Sequence, residues 1–173
     1  HGVTVGDPDA PHSVIVYEDF LCPFCGELEG ATRDAFERLA EEGDLLVEYR
    51  PFNLLERISD YSPRAVNAFA VVLEESGPEV AKRYHDLLFD NQPSESGPFP
   101  DNQDLLDLAV EAGADEADVS EGILEVTMRD WVDAATAAAV EAGVQGTPTV
   151  ILDGKVVQGG PQDILDAVLE ATA

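Results

Sequence analysis

The sequence predicts an α/β protein in which a βαβ half and a ββα half are separated by a helical insertion. Three observations predict it. A β-branched and aromatic run at residues 13–21 leads without a linker into a helical pattern and then a second strand-like run at 45–51. From Ser62 to Gly143 only helical patterning is present. Strand patterning then returns at Thr149, with an Asp-Gly pair between two short apolar runs and a closing helix behind it. Strands at both ends of the chain argue for one sheet and a single domain. The core would occupy residues 13–61 and 144–173, and the insertion 62–143.

The run at 13–21 is apolar on both faces at its start, as a buried strand is. The helix that follows places Cys25, Leu28, Thr32, Ala35, Phe36 and Leu39 on one face. Pro23 sits in its first turn, where a missing N–H has no partner to lose, and Gly43 is the stop signal. Glu29–Arg33 and Asp34–Arg38 are spaced as i,i+4 pairs on the solvent side. A strand at 45–51 completes a βαβ unit, so the two strands are expected to be parallel. In the insertion, Ser62-Pro63 reads as an N-cap with proline behind it, and Gly77-Pro78 ends one helix and opens the next. The loop at 91–102 holds Pro93, Gly97, Pro98 and Pro100 and is the expected flexible region. Gly113, Gly122 and Gly143 are candidate breaks in the helices that follow. Asp153-Gly154 predicts a type I′ hairpin between strands at 149–152 and 155–158. The final helix, after Gly159-Gly160-Pro161, turns Ile164, Leu165, Val168 and Leu169 inward.

The chain of 173 residues is long enough to bury a core without a metal or disulfide staple. Nine basic residues against 36 acidic ones give a net charge of −27, and only Lys82 and Lys155 are lysines. That charge excludes binding to nucleic acid, which would be repelled and would find no basic patch. It equally excludes adhesion to an anionic lipid surface. The acids are scattered over every surface segment, as solvation requires, and form no calcium loop. No apolar run approaches the length of a bilayer span. The first residue is His1, so a mature or trimmed form is expected, with a signal peptide or N-terminal anchor removed.

Cys22 and Cys25 are the only cysteines, three residues apart where strand meets helix. The first turn of a helix carries unpaired N–H groups and the positive end of its dipole, so a thiol there ionises easily. The thiolate is the form that attacks disulfides or leaves from them. At this spacing the second sulfur is one turn away, close enough to close a ring. Cys22, at the exposed end, is the expected attacking sulfur, and Cys25, facing inward, its resolving partner. Two other readings fit the pair less well. Half of a zinc site would need further ligands, and neither a second C-x-x-C nor a ligand spacing for His12 and His85 is present. A structural disulfide closing so short a loop would constrain the unfolded chain little. Gly146-Thr147-Pro148-Thr149-Val150 by itself reads as a loop ending in a trans proline at a strand's start.

Taken together, Cys22-Pro23-Phe24-Cys25 after a buried strand, a helical insertion, and Gly146–Val150 ahead of a hairpin and closing helix resemble the DsbA-like thioredoxin-fold oxidoreductases. The exported bacterial branch with Cys-Pro-x-Cys motifs is the most similar, and the resemblance runs from Asp7 to Val168, with 16–25 its specific part. It implies a thioredoxin fold, Cys22 as nucleophile, Cys25 as resolving cysteine, and a cis bond at Thr147-Pro148 opposite them. That loop would pair with the substrate chain, with Pro23 and Phe24 also at the substrate. Phe24 stands where strong oxidases of the family have histidine, so the Cys22 thiolate is expected to rest on the helix amides alone and to be less acidic than theirs. Val16 stands where relatives often bury an acid. Glu18 lies on the same side of the strand and could instead shuttle protons to Cys25.

The resemblance implies a dithiol oxidase that passes its disulfide to unfolded or extended thiol-containing exported proteins. A quinone-linked membrane protein would reoxidise it. A reductase or isomerase on the same scaffold, and a thioredoxin-fold binding or chaperone module, are the alternatives. Isomerases of the related type dimerise through an extra N-terminal domain, and the few residues before the first strand favour the oxidase over them; a monomer is expected. No cofactor is expected beyond the cysteine pair, and no metal. Phe69, Val72 and Leu73 of the insertion would roof the site and offer a groove to apolar peptide. An oxidising dithiol belongs outside the reducing cytosol, in the cell envelope, periplasm or secreted space.

Overall fold

The computed structural model describes all residues, 1–173. Its strands are β1 (Val3–Val5), β2 (His12–Glu18), β3 (Leu45–Pro51), β4 (Thr149–Leu152) and β5 (Lys155–Val156). Its helices are α1 (Pro23–Glu42), α2 (Tyr61–Ser76), α3 (Pro78–Asp90), α4 (Asn102–Ala112), α5 (Glu116–Leu124), α6 (Arg129–Glu141) and α7 (Pro161–Ala171). The five strands form one sheet in the order β1-β3-β2-β4-β5. β2 and β3 run parallel, with Val14 opposite Val47 and Val16 opposite Tyr49. β4 lies antiparallel on the other side of β2, so the two ends of the chain meet in one sheet. Helices α2 to α6 fall between β3 and β4.

The thioredoxin-like architecture is as expected, and several local boundaries differ. β1 was not anticipated: three residues are too few for a periodic signal, and the strand exists by pairing Val3 with Tyr49 on the edge of β3. β2 stops at Glu18 and not at Leu21, because the Leu21 amide donates to the Asp19 carboxylate and the Cys22 amide to the Asp19 carbonyl, turning the chain into α1. β5 is two residues long; the Val157 amide still bonds the Val150 carbonyl in the register of the β4–β5 pair, and the chain then turns through Gly159 (φ 116°) toward α7. In the hairpin, Asp153 (φ 47°) and Gly154 (φ 77°) both adopt positive φ, as a type I′ turn demands.

Glu29 is not on the solvent side but buried, paired with Arg33 beneath α3. Arg38 turns to Glu42 rather than Asp34. Gly122 breaks nothing: it lies inside α5 where a β-carbon would meet the Val71 methyls at 2.8 Å, so it lets α5 close on α2. On α7, Ile164 and Val168 are buried, Leu165 is half-buried, and Leu169 faces solvent.

α2 is apolar on nearly all sides because it is the centre of the insertion, touching α3, α4, α5 and α6. It begins at Tyr61, and Ser62 does not cap it. The Ser62 hydroxyl turns inward instead and donates to the Asp19 carboxylate at 2.6 Å. The same carboxylate accepts from the amides of Leu54 (2.8 Å), Leu55 (2.9 Å) and Leu21 (2.9 Å). One fully buried side chain therefore joins the loop before Cys22, the β3–α2 connection and the insertion.

A buried carboxylate without a basic partner is stable only while its oxygens are fully hydrogen-bonded. Asp19→Ala strips the acceptor from four donors, those of Leu21 and Ser62 in buried bonds; at roughly 1–3 kcal/mol for each buried one, a loss of about 3 kcal/mol is expected, read from the urea denaturation midpoint.

Candidate active site

Cys22 is the N-cap of α1, with extended backbone (φ −71°, ψ 116°), and Pro23 occupies the first turn. Its carbonyl accepts from the amides of Cys25 (3.0 Å) and Gly26 (3.3 Å) and from the Gln92 side chain (2.9 Å). The Thr147-Pro148 bond is cis. The Cys22 sulfur donates to the Thr147 carbonyl at 3.4 Å, so the loop expected opposite the cysteines is there. Cys22 is less open than its place at a helix start suggests, 5% exposed under that loop, while Cys25 is 1% exposed in the core. Both are free thiols. Pro23 is exposed, and Phe24 projects into solvent with 62% of its surface accessible.

The two sulfurs differ in the way that exchange chemistry needs. The Cys22 thiol is lowered to about 6, first by a hydrogen bond from the Cys25 thiol, against the cost of burial, with Thr147 next and then the amides of Cys25 and Phe24. The thiolate therefore does not rest on helix amides alone. The Thr147 hydroxyl is buried with no protein partner while Cys22 is protonated, and it is free to donate once the thiolate forms. Cys25 is pushed well above its ordinary value by burial, then by its bond to Cys22, the Cys22 charge and the Glu18 charge.

Glu18 is buried behind Cys25 and bonds the His85 Nε2 at 2.6 Å. Burial pushes its carboxyl up, opposed by His85. The ligand atoms of Glu18, Glu29 and His85 lie within 4.8 Å of one another, a spacing a metal could use. They are already engaged, Glu29 with Arg33 and both His85 nitrogens with carboxylates.

Comparison with known proteins agrees with this geometry. The family model described as thioredoxin matches residues 1–171. The chain belongs to the thioredoxin family. Among solved structures it is similar to oxidised DsbA of Mycobacterium tuberculosis, at 30% identity and a TM-score of 0.79, over 100% of this chain and 93% of that one. It is equally similar to the reduced disulfide bond oxidoreductase DsbG of the same organism, at 30% identity and a TM-score of 0.81, over 99% and 88%. The serine/threonine-protein kinase PknE of M. tuberculosis shares 29% identity over 125 residues, 69% of this chain. The chain spans only 22% of that kinase's length. The fold is that of the DsbA-like thiol–disulfide oxidoreductases. No helix is long and apolar enough to cross a membrane.

Within this DsbA-like site, Cys22, Cys25, Thr147, Pro148 and Glu18 are gathered at one end of β2, with Pro23 and Phe24 on the outer rim. Phe69 and Val72 do not roof it. Both are fully buried, Phe69 packing against Phe20 of the active-site loop with ring centroids 6.0 Å apart, so neither presents a groove. Three contributors were not foreseen. Asp19 carries no sequence signal for the four bonds its carboxylate accepts. Gln92 donates to the carbonyls of Phe20 (3.0 Å) and Cys22 (2.9 Å). His85 lies 67 residues from Glu18 in sequence. No spacing rule links such positions, because only the packing of α3 and its loop brings them to β2 and α1.

Replacing Thr147 by valine keeps the shape and removes the hydroxyl. The Cys22 titration, followed by thiolate absorbance, is expected to rise by roughly one unit, equivalent to about 1.4 kcal/mol of lost thiolate stabilisation.

Proposed function

We propose that this chain is a dithiol oxidase that introduces disulfides into exported proteins through Cys22 and Cys25. The observation that carries this reading is the asymmetry of the two sulfurs: Cys22 lowered to about 6 and Cys25 raised by burial. A stabilised thiolate favours the reduced enzyme, and a readily reduced enzyme is a good oxidant. A substrate thiolate attacks the Cys22 sulfur of the oxidised enzyme, the Cys22–Cys25 bond breaks, and Cys25 leaves with the electron pair and takes a proton from Glu18. A second substrate thiolate then attacks the substrate sulfur of the mixed disulfide, releasing oxidised substrate and the Cys22 thiolate. Thr147 and Pro148 would pair with the extended substrate while Pro23 and Phe24 touch its side chains. The cysteine pair itself carries the electrons, so exchange calls for no cofactor. Reoxidation by a quinone-linked membrane protein and a place outside the cytosol complete the reading. Reduction or isomerisation on the same scaffold is the second reading, since thiol–disulfide exchange runs in either direction, and the chain is as similar to a disulfide bond oxidoreductase in its reduced form as to DsbA in its oxidised form.

Equilibrium with glutathione decides between them. The oxidase reading expects a potential well above the thioredoxin level of about −270 mV, toward about −120 mV, and a value at or below −270 mV overturns it. The pH dependence carries a second expectation. Cys22 has a folded value below its unfolded one, so its contribution to the reduced state is full above about 9 and is lost as pH falls through about 6. The oxidised form has no such group. The potential should therefore fall by about 59 mV per pH unit below this break, where reduction takes up two protons, and by about 30 mV above it, where it takes up one.

A further inference from the structure

Behind Cys25 lies a line of ionisable groups that thiol exchange at Cys22 does not itself require. His85 is fully buried on α3, with Nε2 on Glu18 of β2 at 2.6 Å and Nδ1 on Asp86 at 3.0 Å. Asp86 is 19% exposed and is gripped by Lys82 at 2.7 Å, with the Arg33 Nε at 3.6 Å. Every element packed on the ring contributes. From α1 come Glu29, Arg33 and Glu37, the last bonded to Lys82. From β3 comes Tyr49, its ring 4.5 Å from the imidazole. Phe20 and Phe89 close the remaining sides.

We propose that His85 is a positioning residue for proton exchange at Cys25, holding the proton that Glu18 takes and gives and connecting Glu18 through Asp86 to solvent. The proposal rests on the reading of Glu18 as the proton shuttle. An ion pair buried this completely is a poor device for stability, since apolar residues of similar volume often serve as well or better. It is a good device for moving a proton. With both ring nitrogens fixed on carboxylates, a proton can cross from Nε2 to the Glu18 oxygen while the same hydrogen bond persists and no heavy atom turns. The aromatic walls leave Asp86 as the ring's polar contact toward the surface. Burial opposes the charge on His85, but the carboxylates of Glu18 and Glu29 and the bonds to Asp86 and Glu18 outweigh it and raise the ring to about 10. The ring is thus held toward its charged form. When Cys25 attacks a mixed disulfide at Cys22, its thiol proton passes to the Glu18 carboxylate and the Cys22–Cys25 bond forms. The substrate thiolate leaves with the electron pair, and one proton exits through His85 and Asp86. Attack in the other direction draws the proton inward along the same line.

The test isolates the Cys25 step. Cys22 is loaded with thionitrobenzoate by its aromatic disulfide reagent, and release of the coloured thiolate by Cys25 is followed by stopped flow across pH. Folding of each variant is checked by near-ultraviolet circular dichroism. Glu18→Gln should slow release by about 10²-fold, as loss of a general acid–base group does. His85→Gln, which can still hydrogen-bond Glu18 but cannot exchange a proton, should slow it by roughly tenfold, short of that limit. The double variant should be no slower than Glu18→Gln, because the two act in one line. The Cys22 thiolate titration should not move in His85→Gln. Slow release in Glu18→Gln with wild-type release in His85→Gln overturns the inference alone. Wild-type release in Glu18→Gln overturns the Glu18 reading and the inference with it. Should His85→Gln fail to fold, Asp86→Asn decides: removing that charge lowers the His85 value, so the alkaline limb of the rate profile moves to lower pH, and an unmoved profile overturns the proposal.

Discussion

The fully buried carboxylate of Asp19, with four donors and no base, is the point on which the active-site end of the molecule depends. Three of its bonds come from backbone amides on two separate segments, and the fourth from Ser62 at the start of α2. In a low-dielectric interior such a group tolerates no missing partner. The loop that carries Cys22, the connection leaving β3 and the first turn of the insertion therefore have to be in place together. Cys22 is held at the head of α1 because its own amide is bonded to the Asp19 carbonyl.

From that anchorage follows the difference between the two sulfurs. Cys22, at the helix head and against Thr147, is surrounded by donors to a thiolate. Cys25, one turn along, faces the apolar interior and the charge of Glu18. One three-residue spacing thus produces a sulfur that leaves readily and another that holds its proton, the combination an exchange of disulfides requires.

The helical insertion takes part in this chemistry. Its α2 supplies Ser62 to Asp19, its α3 supplies His85 to Glu18 and Lys82 to Asp86, and the loop beyond α3 supplies Gln92 to the Cys22 carbonyl. The chain carries far more acid than base, yet Glu18, Asp19 and Glu29 are buried beside the active site: His85 of α3 satisfies Glu18, Ser62 of α2 and the amides leaving β3 satisfy Asp19, and Arg33 of the same helix satisfies Glu29. The surface acidity and the buried acids obey different rules. Outside, water screens them. Inside, each needs a hydrogen-bond donor within reach.

Much of this was legible in the residues alone. The parallel βαβ unit, the helical block, the Asp-Gly hairpin and the Cys-Pro-Phe-Cys at a helix head all follow from local preferences: apolar periodicity, proline's missing N–H, and the positive φ that a type I′ turn demands. The placement of Cys22 at the helix head and of Cys25 facing the interior follows from the same local logic. Three-residue β1, the inward turn of Ser62, the burial of Glu29 and the service of Gln92 and His85 did not, because each is decided by what lies across the fold rather than along the chain. A polar side chain in a helix carries the same sequence signal whether it meets water or a buried carboxylate. Only the docking of α3 against β2 and α1 chose which it would be.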